Sequence, residues 1–258
     1  MSLLMADLLL LNPVGSSLPL LTSLVLLILI IIGGILITSS VHLIPVGGAP
    51  AAMAQATGVG TGTTQLAAGA GLTGLLVTAS VSTLTDNFLI VLLLGGIGSA
   101  IMISLVMLIS NAGYIYGVGC PPASGKAARD PITKDRQDIY VSKGTEGHGV
   151  PTVCFVSGLI GGFFGGVGGA LIFESLSQIG VGGLLTSPYA AVSLITIISI
   201  AIFFVNAVIA SYNIGGTIEG FHDPKIKKLP RCIFVSAVVT FFCGLLSLIA
   251  FYNLGGFA

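Results

Sequence analysis

Polar side chains inside otherwise apolar stretches are the residues of this sequence that could carry chemistry. Ser199, Asn206, Asn213 and Thr217 follow one another at intervals of seven, seven and four, and Glu219 comes two residues later. Intervals of four and seven return to nearly the same face of a helix, so the spacing predicts one polar stripe. Polar groups are costly inside a membrane unless they are paired, which makes each of them a candidate for function.

A second group of polar residues interrupts the apolar stretch Pro45–Leu76, which has no charge and is rich in glycine and alanine. It contains Gln55, Thr57, Thr61 and Gln65. Hard cations prefer oxygen ligands, and broken helices add free carbonyl oxygens. We therefore predict that an ion pathway is lined by this second group together with Asn206, Asn213 and Thr217 of the stripe, with Glu219 attracting the ion. The alternative is that these side chains only form hydrogen bonds between helices.

The composition indicates a polytopic membrane protein. Hydrophobic residues make up 54% of the 258 residues and charged residues 7%, too few charges to cover a soluble domain of this size. A membrane span needs roughly 20 apolar residues. We expect an all-α bundle of about six transmembrane helices, near Leu18–Ile44, Gly60–Leu84, Phe88–Tyr114, Pro151–Leu176, Pro188–Thr217 and Cys232–Tyr252.

Glycine-rich packing is predicted most specifically in the fourth of these spans. Two neighbouring rows repeat there at intervals of four: Gly158, Gly162 and Gly166 in one row, and Gly161, Gly165 and Gly169 in the other. Small residues at this spacing let two helices approach backbone to backbone. These six glycines are therefore expected to be contact points between helices.

The basic residues predict the orientation of the chain. All nine Lys and Arg residues fall in two loops, 117–150 and 218–231, which interrupt a single integral membrane domain spanning 1–258. The positive-inside rule places these loops in the cytoplasm and both termini outside. Asp86 and Glu174 would then be solvated residues of external turns. The formal net charge is zero, so nucleic acid is not expected as a partner.

Catalytic and metal-binding motifs are not recognised. Gly119–Lys126 resembles a phosphate-binding loop, but Cys120 and Ala127 occupy positions where the motif requires Gly and Ser or Thr. The four cysteines have no metal-ligand spacing, and they are interpreted as unpaired thiols. The three histidines are interpreted as structural hydrogen-bonding groups. We expect no catalytic residue and no cofactor bound by this chain itself.

Three long runs carry a family resemblance: Val41–Leu75, Asp130–Gly158 and Asn206–Lys225. They resemble the D subunit of the archaeal tetrahydromethanopterin S-methyltransferase. The resemblance implies a membrane component of a complex that moves a methyl group from methyl-tetrahydromethanopterin to coenzyme M through a corrinoid, coupled to sodium export. It also implies the C and E membrane subunits as partners, with lipid around them, and methyl transfer on other subunits.

Two other interpretations follow from the residues alone. A stand-alone ion or solute transporter would have the same composition. A structural scaffold that holds catalytic subunits and moves no ion would have the same packing.

Overall fold

Six α-helices make up the computed structural model, which describes residues 20–45, 61–144, 146–179 and 188–253. A short 3-10 helix, Pro224–Lys228, precedes the last of them. The helices are α1 (Leu20–Leu43), α2 (Thr61–Val81), α3 (Phe88–Val118), α4 (Thr152–Ile179), α5 (Pro188–Ile214) and α6 (Leu229–Asn253). No named strand occurs in the described part, so the predicted all-α fold class is confirmed.

Five helices are long and apolar enough to cross a membrane, namely α1, α3, α4, α5 and α6. In α2 the apolar segment within the described residues is shorter, Gly69–Val81. The chain is therefore a multi-pass membrane protein with a helical bundle, as its composition predicts.

Three helix boundaries differ from the predicted spans. Helix α3 continues beyond Tyr114 and ends at Gly119, whose φ of 79° is left-handed and whose N–H donates to the carbonyl of Ile115. Glycine adopts this conformation without steric cost. Helix α5 ends at Ile214, and α6 begins at Leu229. Two polar connections, residues 119–151 and 215–228, therefore separate α3 from α4 and α5 from α6. We call the end of the bundle that carries them the polar end.

Helix α4 occupies the centre of the bundle. It packs against α1 on one side and α3 on the other, while α1 and α3 make little contact with each other among the described residues. It also contacts α2 and α5. One helix therefore joins most of the others.

The row of α4 that faces α3 comes within backbone distance of it. A Cβ on Gly166 would lie 2.9 Å from the Cα of Gly96 and would collide with the carbonyl oxygen of Gly95. A Cβ on Gly162 would lie 3.2 Å from the Cα of Ala100. Real Cβ atoms do not come so close to a backbone, so this contact requires glycine.

The neighbouring row of α4 faces α1. A Cβ on Gly161 would lie 2.9 Å from the carbonyl oxygen of Ser40, and one on Gly168 would lie 2.6 Å from that of Gly33. Gly165 meets only the side chain of Ser40. At the ends of the predicted rows, the nearest atoms belong to side chains. Gly158 lies against Met107 and Pro45, and Gly169 lies against Leu75 and Phe203.

The outer faces of α3 and α6 are apolar and exposed. Leu93, Ile101 and Leu105 of α3 and Phe234, Phe242 and Leu246 of α6 are examples. Contact with lipid tails explains such faces in a membrane protein.

Candidate functional site

Glu219 is the centre of a buried cluster at the polar end. Its side chain is only 4% exposed. One carboxylate oxygen, Oε2, accepts a hydrogen bond from the hydroxyl of Ser124 and lies 3.2 Å from Nε2 of His222. The other, Oε1, accepts from the N–H groups of Gly125 at 2.9 Å and Gly147 at 3.2 Å. Glu219 thus joins the two connections of the polar end.

A short backbone pairing presents these donors. Ala123 and His148 exchange two hydrogen bonds of 2.9 Å, which hold the two ends of the first connection side by side. Gly125 comes shortly after Ala123, and Gly147 comes directly before His148. Both N–H groups therefore reach the same oxygen of Glu219. A Cβ on Gly147 would lie 2.5 Å from Oε1 of Glu219. Glycine is therefore required for the carboxylate to approach.

The cluster keeps Glu219 ionised. Burial alone would raise the pKa of its carboxyl group, but the hydrogen bonds from His222, Ser124 and Gly125 outweigh burial and lower the pKa below its usual value. Hydrogen bonds to the charged form favour that form. The bundle therefore holds a fixed negative charge at its polar end.

Two more buried acids lie in the same region. Asp130 is 1% exposed, and burial would raise its pKa, but the N–H groups of Val153, Ile132 and Thr133 lower it. Asp223 is also 1% exposed, and it accepts from the N–H of Glu219. Nothing in the spacing of these loop acids indicates that they are buried. The loop carboxylates are buried because backbone N–H groups replace their water.

Cys154 also belongs to the cluster, although its spacing in the sequence does not indicate this. It lies in the first turn of α4 and is 2% exposed. Its Sγ, a carboxylate oxygen of Glu219 and a ring nitrogen of His222 all lie within 4.8 Å of one another. Sequence spacing indicated no metal-ligand set because these residues come together only when the second connection folds back over α4.

A row of residues on α1 faces the polar side chains of α5 and α6. Gly34, Thr38 and His42 follow at intervals of four. His42 is fully buried; its Nδ1 lies 2.8 Å from the carbonyl of Thr38, and its Nε2 lies 3.1 Å from Nδ2 of Asn213. Since Nδ1 must donate to that carbonyl, Nε2 accepts from Asn213, and His42 is neutral in this arrangement.

Asn206 lies deeper along the same interface and is fully satisfied. Its Oδ1 accepts hydroxyl hydrogen bonds from Ser236 at 2.6 Å and Thr240 at 3.0 Å, and its Nδ2 donates to Ile202. A Cβ on Gly34 would collide with Thr240. We call the interface of Gly34, Thr38, His42, Asn206 and Asn213 with α6 the polar seam.

Two hydroxyl groups near the polar seam have no partner in the described part of the chain. They are Oγ1 of Thr38, one turn from both Gly34 and His42, and Oγ1 of Thr217, just after α5. Both side chains are buried, at 0% and 3% exposure. Buried polar atoms are rarely left unpaired, so each calls for an explanation.

Lysine side chains bind the carbonyl oxygens where α5 ends. Lys228 Nζ donates to Ile214 at 2.9 Å, and Lys225 Nζ donates to Thr217. The C-terminus of a helix carries partial negative charge, which favours cations there.

Some of the other polar residues predicted from the sequence lie in the described part of the chain, and some lie outside it. Gln55 and Thr57 lie outside the described residues, and Thr61 and Gln65 fall in the first turns of α2. Ser199 is buried and donates to the carbonyl of Ile195 within its own helix.

Asp86 and Glu174 are both predicted to be solvated residues of external turns. Asp86 is exposed in the turn between α2 and α3, and the side of the membrane on which this turn lies stays a prediction. The prediction for Glu174 is wrong, because α4 continues to Ile179 and the side chain is 7% exposed, with Oε1 unpartnered among the described residues. The end of an apolar run did not mark the end of the helix.

Comparison with known proteins gives one consistent result. A family model described as the D subunit of tetrahydromethanopterin S-methyltransferase matches residues 23–240. A protein of that description from Methanosarcina mazei is 56% identical over 89% of this chain and 95% of its own length. One from Methanothermobacter thermautotrophicus is 53% identical over 86% and 94%, and one from Methanocaldococcus jannaschii is 51% identical over 84% and 93%.

The family match and these relatives cover both polar connections and nearly all of the described helices, as the sequence resemblance predicts. The chain therefore belongs to the family of the tetrahydromethanopterin S-methyltransferase D subunits, and it is a membrane component of a methyltransferase complex.

Proposed function

We propose that this protein lines the half of a sodium pathway nearest the polar end, within a complex that transfers a methyl group from methyl-tetrahydromethanopterin to coenzyme M. The observation that carries this proposal is that the buried hydroxyl groups of Thr38 and Thr217, which lie near the polar seam, have no partner among the described residues. The hydroxyl groups of Ser40 and Ser99 have none either, but they lie at the glycine contacts of α4. An oxygen that the protein does not engage can serve as a ligand for a hard cation.

The surroundings of these hydroxyls suit a cation. The carboxylate of Glu219, two residues from Thr217, is ionised and would attract sodium to the entrance. Asn213 and His42 offer polar side chains between the entrance and Thr38. Gln55, Thr57, Thr61 and Gln65 remain candidates for the opposite wall of the pathway.

Methyl transfer is assigned to partner subunits. The polar groups that this chain buries in its described part lie between its own helices and loops, most of them in hydrogen bonds. An open cavity of about 500 Å³ lies between the first polar connection and the ends of α3 and α4. We place the corrinoid, methyl-tetrahydromethanopterin and coenzyme M on other subunits, and we propose the C and E subunits as the neighbours in the membrane, with lipid around them.

The polar end is proposed to face the cytoplasm and both termini the outside, because all Lys and Arg residues lie in the two connections. Cysteine labelling in a chain without its natural cysteines tests this. Lys143→Cys should react with a membrane-impermeant reagent from the cytoplasmic side, and Asp86→Cys from the outside. The reverse pattern would invert the proposed topology.

The functional test removes each unpartnered hydroxyl without changing the shape of its side chain. Thr38→Val and Thr217→Val, in the assembled complex, should reduce sodium uptake into inverted vesicles by about tenfold, the equivalent of about 1.4 kcal/mol. The thermal stability of the complex should stay the same or rise, because a buried unpaired hydroxyl is lost.

Thr240→Val is the matched control, since the Thr240 hydroxyl donates to Asn206. It should reduce thermal stability. If both hydroxyl-deleted variants pump sodium like the wild type, this protein is a structural scaffold and the ion passes elsewhere. Sodium transport by the purified chain alone would instead favour a stand-alone transporter.

A further inference from the structure

We infer that Cys154, Glu219 and His222 bind a divalent transition-metal ion of the zinc type at the polar end. This site shares Glu219 with the sodium proposal, but it is argued from other atoms and tested without sodium flux. Thiolate, imidazole and carboxylate are the three ligand types that zinc takes in proteins. A soft thiolate selects such metals over sodium, magnesium or calcium, which prefer oxygen. The three candidate donor atoms lie within 4.8 Å of one another; Cys154 and Glu219 are buried, and His222 is partly buried.

The separations suit tetrahedral coordination after a small adjustment. Two ligand atoms about 2.1 Å from a tetrahedral ion lie about 3.4 Å apart. Nε2 of His222 and Oε2 of Glu219 are already 3.2 Å apart. The separations involving the sulfur are at most 4.8 Å, so it needs to move closer by no more than about 1.4 Å, through a rotation of the cysteine side chain.

Glu219 is positioned in advance by its surroundings. The N–H groups of Gly125 and Gly147 hold its Oε1, so Oε2 points to the cluster. Outer contacts of this kind orient metal ligands. Nε2 of His222 lies 3.0 Å from the hydroxyl of Ser124, which a metal would displace from that nitrogen. Nδ1 of His222 is buried without a hydrogen-bond partner in the described chain, so the ring can carry its proton on Nδ1 and present Nε2 to a metal.

The carboxylates around the sulfur favour a cation but disfavour a bare thiolate. Asp130 and Asp223 are buried nearby and, like Glu219, are close enough to act electrostatically on Cys154. The metal ion therefore has to offset their repulsion of the thiolate. On binding, the thiol proton of Cys154 leaves to solvent, as metal binding to thiols requires. The thiolate and the Glu219 carboxylate then balance the two positive charges of the ion. The other two acids stay negative, so the attraction of sodium to this end persists.

A metal here would connect the first turn of α4 to the second polar connection. Three protein ligands leave a fourth position open, for water or for a group from a partner subunit. The metal would hold α4 and the second polar connection together at the polar end, where the membrane part would meet the rest of the complex.

The test uses the full chain purified in detergent, with zinc as the probe. After chelation, incubation with zinc and removal of free metal, the wild type should retain about one zinc ion per chain by elemental analysis. Cys154→Ser and His222→Gln should each reduce the retained zinc at least tenfold. Cys232→Ser removes a buried thiol of α6, outside the cluster, and should retain zinc like the wild type.

X-ray absorption of the zinc-loaded wild type keeps the test decisive even if a variant fails to fold. It should show one sulfur at about 2.3 Å from zinc, with nitrogen and oxygen ligands. No retained zinc, a shell without sulfur, or equal zinc in wild type and folded Cys154→Ser would overturn the site. None of these measurements depends on sodium flux. The zinc site can therefore be contradicted without contradicting the sodium pathway, and the reverse also holds.

Discussion

The glycine contacts of α4 and the Glu219 cluster hold neighbouring parts of the molecule together by different means. Along α4, backbones touch directly, and Gly166 is in contact with the backbone of α3. At the polar end, one carboxylate collects four donors from two connections that are far apart in sequence. The helix contact forms because glycine has no side chain between the two backbones. The contact at the polar end forms because the carboxylate of Glu219 carries a charge.

This difference determines what each region tolerates. A glycine contact fails when any side chain is added, whatever its chemistry. A carboxylate cluster fails when the charge is lost, even if the shape is kept, because its donors are left unpaired in a buried place. Ser157 lies where the two regions meet, in the α4 row that continues through Gly161 and Gly165.

The largest effect is expected from Gly166→Leu. The added side chain would push α4 away from Gly95 and Gly96 of α3, and overpacking costs typically about 1–3 kcal/mol or more. We expect loss of the assembled complex, measured by size-exclusion chromatography in mild detergent. An intact complex containing this variant would mean that the two helices do not touch in the assembly.

Glu219→Ala should have the next largest effect. It leaves Ser124, His222 and two backbone N–H groups without their acceptor, and removing one side of a buried charged network costs about 3–5 kcal/mol. The midpoint of thermal unfolding should fall strongly. Glu146→Ala, which breaks the half-exposed pair with Lys126, is the control and should change it little. Equal effects would show that the cluster is not a structural centre.

Ser157→Ala should have a moderate effect. Its hydroxyl donates to the carbonyl of Leu43 at 2.7 Å and accepts from the N–H of Phe221 at 3.0 Å, so it links α1, α4 and the second connection. We expect a loss of about 1–3 kcal/mol in the free energy of unfolding, from thermal unfolding in detergent. Ser80→Ala removes an exposed hydroxyl that bonds only within its own helix, and should be nearly neutral.

The smallest effect is expected from Gly113→Ala on α3, where a Cβ would meet nothing within 4 Å. Alanine is favoured over glycine in a helix by about 0.5–1 kcal/mol, so thermal stability should rise slightly. Gly166→Ala, compared in the same measurement, should lower it. A similar response of both glycines would contradict the view that backbone contact, rather than helix propensity, decides which glycines are needed.

The helices could be predicted from the sequence because they depend on local properties. Apolar runs of sufficient length and a glycine repeat every four residues are visible without any knowledge of distant contacts. The family could be predicted as well, from three long runs. Helix ends were less certain, since the end of α5 depends on lysines that reach back from Lys225 and Lys228 to its last carbonyls.

The buried polar groups were harder to predict because burial depends on which face meets another element. Glu174 and Asp86 are both acids near the ends of apolar runs, yet one lies inside α4 and the other in an exposed turn. Cys154 and His222 are separated by an entire helix, so no spacing rule could pair them. Asn206 lies within α5 on the predicted stripe, whereas Thr217 lies beyond the end of α5. The partners of Asn206 on α6 are visible only in the structure.

Because α4 fills the space between α1 and α3, the order of synthesis matters for this protein. When the first three helices have entered the membrane, α1 and α3 still lack the surface on which both pack. Their glycine and small-residue faces stay open to lipid, or to a transient helper, until α4 is made. The nascent chain therefore passes through a stage in which its most closely packed interfaces are still exposed, and insertion of the fourth helix ends that stage.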